Sequence, residues 1–355
     1  MKITLVTQFL EGHGGTERVI SELINHDLAN CYQVLVTSSG EKPEWLQWIT
    51  RKEGYEVKIC HKPGEAIVKE FIKFHILNCR PDIVIALEGR ANRVADKLRK
   101  DHGLDYKIIS WSHTSIKEGG FFVPEDLKHA DYHLAISSGI QRQLIADGVS
   151  ADKIFLVYNP VIIQHSDPIK APAAGKPFHP IFIGRMIFEE QKNVHMLLDS
   201  LKNFPQPWQL DMYGKGYDMD KIKGYAKKLG IAENINMHGW VPDPWKDIDE
   251  ADCLLLASNY EGFPMVLVEA LSRGLPVIST DCPTGPEDIV NSKNGILTPV
   301  NDPQAFANAC LDLYQDRATF DRNEVQHSID KFSVFHYIDH LEKIYKIVEP
   351  VPSDS

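Results

Sequence analysis

Glu261 and Glu269 stand eight residues apart in Asn259-Tyr260-Glu261-Gly262-Phe263-Pro264-Met265-Val266-Leu267-Val268-Glu269-Ala270, where a loop gives way to an apolar run of helical character. An ionised carboxylate only accepts hydrogen bonds, so it suits the hydroxyls of a sugar or a ribose. Pro264 fits the first helical position, which leaves the N–H groups of Gly262, Phe263 and Met265 and the positive helix end for an anionic ligand. Two carboxylates beside such a helix end suggest a sugar nucleotide, although glutamates at this spacing also arise by chance in an acidic chain. Arg185 and Lys192 lie in Gly184-Arg185-Met186-Ile187-Phe188-Glu189-Glu190-Gln191-Lys192-Asn193, which follows a strand-like run and opens a helix. A rigid guanidinium fork and a mobile ammonium together suit a diphosphate. The alternative is a solvated loop whose cations bridge to Glu189 and Glu190.

His113 closes the run Ser110-Trp111-Ser112-His113-Thr114 at a strand end, either placed to reach across an interdomain cleft or held as a satisfied structural histidine. Glu11-Gly12-His13-Gly14-Gly15-Thr16-Glu17 connects the first strand to the first helix. Gly14 and Gly15 allow a ligand to approach the backbone and leave helix N–H groups for an anion, or they form a tight turn capped by Thr or Glu. The stretch is not GxGxxG, so the dinucleotide fingerprint is not met. Thr284-Gly285-Pro286-Glu287-Asp288-Ile289 reads as a further helix start at the same sheet edge, or as a simple cap.

These residues must be positioned by something, and the pattern around them is regular. Short β-rich runs alternate with amphipathic ones, the signature of βαβ units around parallel sheets. Strands are expected at 2–7, 33–37, 57–60, 82–87, 107–111, 132–136 and 154–157, with helices such as 16–28, 65–78 and 91–100 between them. From Asn159 to Pro180 the rhythm breaks into a proline-rich stretch, read as an interdomain linker. A second series follows, with strands at 181–183, 209–212, 234–237, 253–256, 276–279 and 296–297 and helices near 193–202, 217–229, 265–273 and 303–315. Val334 to Ile347 should form a closing helix. The chain is thus α/β, two tandem doubly wound domains.

Composition narrows the class. The 355 residues are 43% apolar and 25% charged, enough for about two soluble globular domains. With 38 Lys and Arg against 49 Asp and Glu, the net charge of −11 excludes a broad nucleic-acid face. Cys31, Cys60, Cys79, Cys253, Cys282 and Cys310 form no CxxC pair and read as reduced thiols. The N-terminus is broken by polar residues before a signal-peptide core develops, and no stretch approaches a membrane span, so a cytoplasmic protein is expected. Lys69, Lys73 and Arg80 on or beside one first-domain helix offer only weak attraction to anionic lipid, about 1 kcal/mol each.

Taken in order, these residues resemble the retaining glycosyltransferases of family 4, which have two Rossmann-like domains facing a cleft, the GT-B architecture. The resemblance spans nearly the whole chain and rests on Gly14-Gly15, His113, Arg185 with Lys192, Glu261 and Glu269 in the family's E-x7-E element, and the Gly285-Pro286-Glu287 turn. Asp131-Tyr132-His133-Leu134-Ala135-Ile136-Ser137-Ser138-Gly139-Ile140 and Glu261-Gly262-Phe263-Pro264 look most like the galactosyltransferases of bacterial lipopolysaccharide core assembly.

The resemblance implies an acceptor domain over 1–160, a nucleotide-sugar donor domain over 161–330, and a helix over 331–348 that crosses back to the first domain. Arg185 and Lys192 would bind the donor diphosphate and stabilise the departing nucleotide. Glu269 would hold ribose hydroxyls; Glu261 and the amides of Gly262, Phe263 and Pro264's loop would hold the sugar. His113 would contact the sugar near the reacting carbon, and Gly14-Gly15 would admit phosphate and acceptor. Where the family loop carries an acidic residue between glycines, this chain has Gly214-Lys215-Gly216, a cation that either strengthens phosphate binding or is solvated. The expected reaction moves a hexose (galactose, glucose or GlcNAc) from a UDP-sugar to a cell-envelope glycan or glycolipid with retention. It needs neither metal nor cofactor, because no Asp-x-Asp element is placed at a strand end. The competing readings are a sucrose- or trehalose-type synthase and a non-catalytic nucleotide-sugar-binding protein.

Overall fold

Lys2–Thr7 (β1) is buried beyond its first residue and has a parallel neighbour on each side, Cys31–Val36 (β2) and Ile83–Ala86 (β4). Such two-sided burial is why the run Ile3-Thr4-Leu5-Val6 is nearly continuous in apolar and β-branched residues rather than alternating. The computed structural model describes residues 1–8, 10, 14–37, 44–62, 64–163 and 167–349. Glu11, Gly12 and His13 of the first glycine loop, Gln164 to Ser166 of the proline-rich stretch and the last six residues lie outside that set.

The chain divides into two units, Met1–Pro160 with Val334–Ser355, and Val161–Ser333. In the first unit, Tyr55–Ile59 (β3), Lys107–Ser112 (β5), Tyr132–Ala135 (β6) and Ile154–Leu156 (β7) complete a parallel sheet of order β3-β2-β1-β4-β5-β6-β7. The order reverses between β1 and β4. In open α/β sheets that reversal opens a crevice at the carboxyl ends of the strands. The loop that leaves β1 there ends at Gly14, and Gly15–His26 (α1) follows. Glu65–Cys79 (α2) buries Val68, Ile72 and Ile76 against a core that includes Val6, Leu35, Val84 and Ile108. The closing helix Val334–Val348 packs on α1 and buries Tyr337, Leu341, Ile344 and Tyr345.

In the second unit Ile181–Ile183 (β8), Leu210–Tyr213 (β9), Ile235–Gly239 (β10), Leu254–Leu256 (β11), Val277–Thr280 (β12) and Gly295–Thr298 (β13) form a parallel sheet of order β10-β9-β8-β11-β12-β13. Here the reversal falls between β8 and β11. The two stretches richest in candidate residues are the loops that leave these two strands.

Two expectations need correction. The proline-rich stretch is not a free linker: Lys170 and Phe178 form bridges to Glu250 and Trp208, and Ile169 and Phe178 are buried in the second unit. Proline removes a donor at its own position only, so the N–H groups of Ile169, Lys170 and Phe178 still pair with Arg273, Asp249 and Pro207 carbonyls. The chain passes between the units at Pro160/Val161 and at Ser333/Val334, and there Val161 N–H donates to the Phe332 carbonyl at 2.8 Å. Finally, Pro264 is the residue before the helix Met265–Leu271 rather than its first member, with ψ of 91° holding it extended.

Candidate active site

Glycine builds the floor of the second unit's site. Gly214 follows β9 with φ of +132°, and a Cβ there would come within 1.9 Å of the Gly184 carbonyl oxygen. A Cβ on Gly216 would meet the Met186 carbonyl at 2.3 Å. The Gly214-Lys215-Gly216 backbone therefore lies directly on the Gly184-Arg185-Met186 backbone, tied by Met186 N–H to the Lys215 carbonyl at 3.1 Å. Asp218 adds a bond to the Phe188 N–H at 2.9 Å. Lys215, the departure from the family pattern, has its ammonium 5.4 Å from the Trp240 ring centre.

On this floor Arg185 is exposed and makes no ion pair among the described residues; its guanidinium donates to Gln191 Oε1. The bridging alternative does not apply, since Glu189 pairs with Lys221 at 2.8 Å and Glu190 accepts from the Tyr217 hydroxyl at 2.7 Å. Lys192 is buried to 12% exposure and its Nζ sits 2.6 Å from Glu261 Oε1. The same oxygen accepts from Ser258 Oγ at 2.7 Å, and Gln191 Nε2 reaches Glu261 Oε2 at 3.5 Å. Arg185, Gln191, Glu261 and Lys192 thus form one connected set at the strand-order reversal. A buried ion pair with such extra donors offsets part of its desolvation cost.

Asparagine joins the two loops. Asn193 has φ of +46°, caps the helix Val194–Leu201, and donates to Asn259 Oδ1 and Asn301 Oδ1, each at 3.0 Å. Asn259 Nδ2 in turn donates to the Glu189 and Glu190 carbonyls at 2.8 and 2.7 Å. Beneath the Glu261 loop, the Thr284 hydroxyl donates to the Glu261 carbonyl. Gly285, at φ of +98°, brings its backbone so close that a Cβ would touch Pro264 Cδ at 2.5 Å. The Gly285-Pro286-Glu287 turn is therefore a support for Gly262-Phe263-Pro264. Phe263 is itself buried edge-on against Phe332, with ring centres 5.3 Å apart. Glu269 is half-buried and accepts from Trp245 Nε1 at 3.2 Å, while Arg273 lies over the Trp245 ring at 4.8 Å. Ser258 and Trp245 escape sequence reading, and Gln191 and Thr284 enter it only as members of a run, because a lone hydroxyl, amide or indole carries no spacing signal. Asn193, just ahead of an apolar helical run, does carry a capping signal.

In the first unit His113 follows β5 and packs against Trp111 with the rings tilted by 59° and their centres 4.2 Å apart. Burial alone pushes its pKa down to about 3, so it is neutral near pH 7. Its Nε2 and the Trp111 Nε1 are shut off from solvent with no hydrogen-bond partner among the described residues, so this nitrogen is not that of a satisfied structural histidine. Gly14 and Gly15 are exposed at the start of α1. Gly14 has an ordinary φ of −116°, so what it offers is open backbone rather than an unusual conformation. Among the described residues no group of three His, Cys, Asp or Glu side chains is arranged to hold a metal, and no helix is long and apolar enough to cross a membrane.

Two doubly wound units, one with cations and carboxylates gathered where its strand order reverses, define the class of two-Rossmann-domain glycosyltransferases. The family described as Glycosyl transferases group 1 matches residues 178–316. The lipopolysaccharide 1,6-galactosyltransferase of Escherichia coli K12 is 34% identical over 97% of this chain and 98% of its own length. The apo structure of the lipopolysaccharide outer core galactosyltransferase WaaB superposes with a TM-score of 0.85 at 31% identity, covering 98% of this chain and all of that one. Anabaena Alr3699/HepE in complex with UDP-glucose has the same fold, with a TM-score of 0.78 at 18% identity over 98% and 100% of the two chains. The chain belongs to the group 1 glycosyl transferases, and it is a glycosyltransferase of GT-B fold.

Proposed function

We propose that this enzyme transfers galactose from UDP-galactose to a lipid-borne glycan of the cell envelope, a lipopolysaccharide core, with retention and without a metal ion. The observation that carries the reading is the Arg185–Gln191–Glu261–Lys192 set at the strand-order reversal of a chain similar along almost its whole length to a lipopolysaccharide galactosyltransferase. As the bond to the sugar breaks, negative charge gathers on the leaving diphosphate. Arg185, exposed and without a carboxylate partner among the described residues, and Lys192, which pairs with Glu261, meet that charge. Arrival of the diphosphate at Lys192 frees Glu261 to accept sugar hydroxyls. Glu269, held by Trp245, accepts from ribose. His113 stays neutral and offers its unpartnered nitrogen to the sugar near the reacting carbon. The two cations do the electrostatic work that a divalent ion does in other glycosyltransferases. The enzyme works at the inner face of the cell membrane, where nucleotide sugars are available.

The test is UDP release from UDP-galactose, UDP-glucose and UDP-GlcNAc with a galactose-deficient core acceptor, run with and without EDTA. UDP-galactose turning over best, undiminished by EDTA, supports the reading. Complete loss with EDTA and recovery with manganese overturns its metal independence, and preference for a soluble monosaccharide acceptor overturns the acceptor class.

A further inference from the structure

Each unit pairs a cation with a buried carboxylate where its strand order reverses. In the second unit these are Lys192 and Glu261; in the first they are Arg90 and Glu88. Thr37, just past β2, and Leu87, just past β4, donate their N–H groups to the Thr7 and Val6 carbonyls at 2.8 and 2.9 Å, so they flank the end of β1. Arg90 Nη2 donates to Thr37 Oγ1 and to Glu88 Oε1, each at 3.2 Å, and so closes over the carboxyl end of that strand. Ala86 pairs with Ser110 of β5, which sets Glu88 level with Ser112, one residue before His113.

Glu88 stands in extended conformation ahead of Gly89–His102 (α3), and its side chain does not cap that helix. The Gly89 N–H donates to the Phe121 carbonyl at 2.8 Å, and a Cβ on Gly89 would strike the Asp126 carboxylate, so glycine lets that segment lie against the helix start. Asp126 pairs with Arg93. The Glu88 side chain is 7% exposed and that of Arg90 25%. Burial pushes the Glu88 carboxyl up despite the neighbouring Arg90, so further hydroxyl donors stabilise its charged form. Arg90 Nε is shut off from solvent with no hydrogen-bond partner among the described residues. The donor chemistry proposed above uses neither residue.

We propose that Glu88 and Arg90 select the acceptor by a pair of neighbouring hydroxyls on its terminal sugar, one donating to the Glu88 carboxylate and the other accepting from the Arg90 guanidinium. A carboxylate only accepts and a guanidinium only donates, so together they match hydroxyls, which do both. Arg90 and Arg93 are each matched by a carboxylate, which leaves little pull for a phosphate. Glu88 also repels an anionic group carried on those hydroxyls, so a terminal sugar phosphorylated there is rejected. This rests on the proposed acceptor being a glycan.

The test is titration of the UDP-bound full chain with a galactose-deficient core oligosaccharide, and with the same oligosaccharide phosphorylated on its terminal sugar. The wild type binds the first and discriminates against the second. Glu88→Gln, which keeps the shape, and Arg90→Lys, which keeps the charge without the fork, each weaken binding of the first by about tenfold, as expected for a lost hydrogen bond to a charged group. Glu88→Gln also narrows the discrimination, which a loss of structure alone does not do. UDP affinity stays that of the wild type in both. Unchanged oligosaccharide affinity in the variants, a parallel loss of UDP affinity, or equal binding of the two oligosaccharides by the wild type overturns the proposal. A wild type that binds the oligosaccharide through Glu88 and Arg90 yet transfers no galactose to it counts instead against the proposed function and leaves this selection standing.

Discussion

Lys192 and Glu261, 69 residues apart, form a 2.6 Å ion pair with both side chains nearly buried, and the Ser258 hydroxyl shares the same carboxylate oxygen. The cation proposed for the diphosphate and the carboxylate proposed for the sugar are therefore each other's partner when no donor is bound.

Removing one member leaves the other charge buried without its partner, a loss of about 3–5 kcal/mol in comparable pairs. Lys192→Ala should thus lower both turnover and melting temperature. Lys192→Met combined with Glu261→Gln should recover most of the melting temperature and none of the turnover. Arg185 is exposed and carries no such burden, so Arg185→Ala should melt like the wild type and lose turnover by about 100- to 1,000-fold. Thermal melts beside UDP-release rates separate the two cations. Equal melting losses in both single variants would refute the asymmetry.

The two glutamates should differ in kinetics. Glu269 accepts from the neutral Trp245 indole, so Glu269→Gln should raise the donor KM and the UDP Kd together. Glu261→Gln should chiefly lower kcat, because contacts that orient the sugar matter most as the anomeric carbon becomes cation-like. UDP titration and steady-state kinetics on both variants check this; equal loss of UDP affinity with equal turnover contradicts the division.

His113 and His133 are both depressed by burial, to about 3 and about 4. A histidine that is neutral when folded but binds a proton near pH 6.5 when unfolded makes the unfolded state the proton-richer one between those values. Their contribution is full above about pH 6.5 and is lost as pH falls toward the folded values. Urea midpoints should therefore drop from pH 6.5 to pH 4, and His113→Asn should flatten that slope. The activity profile between pH 5 and 8 should show no limb that His113→Asn removes.

Gly214→Ala should fail through backbone contact alone. Its Cβ would collide with the Gly184 carbonyl at a φ that L side chains rarely adopt, so the Arg185 loop must shift. The expected result is weaker UDP binding with a far smaller loss for Gly224→Ala, which has open space around it. Equal UDP affinity in the two would show that the glycine floor is not needed.

The strands were legible because parallel, doubly covered strands are short apolar runs bounded by turn residues; β1 and β8 fall on the residues the pattern marks. Of the site, the ionisable residues stood out by type and position after a strand. Their pairing did not: nothing in sequence says that Lys192 meets Glu261 rather than Glu189, because that depends on two loops brought together by Asn193 and Asn259 across the β8–β11 reversal. The proline-rich stretch misled for the opposite reason. Its composition resembles a linker, while the N–H groups of Ile169, Lys170 and Phe178 bind it to the second unit.

The most direct measurement is the anomeric proton signal of the product formed from UDP-galactose and a galactose-deficient lipopolysaccharide core, in excess EDTA. The account predicts one new α-linked galactosyl residue, formed in step with UDP and lost in Arg185→Ala. A β-linked product, or no transfer from UDP-galactose to that acceptor by a folded enzyme, would contradict it.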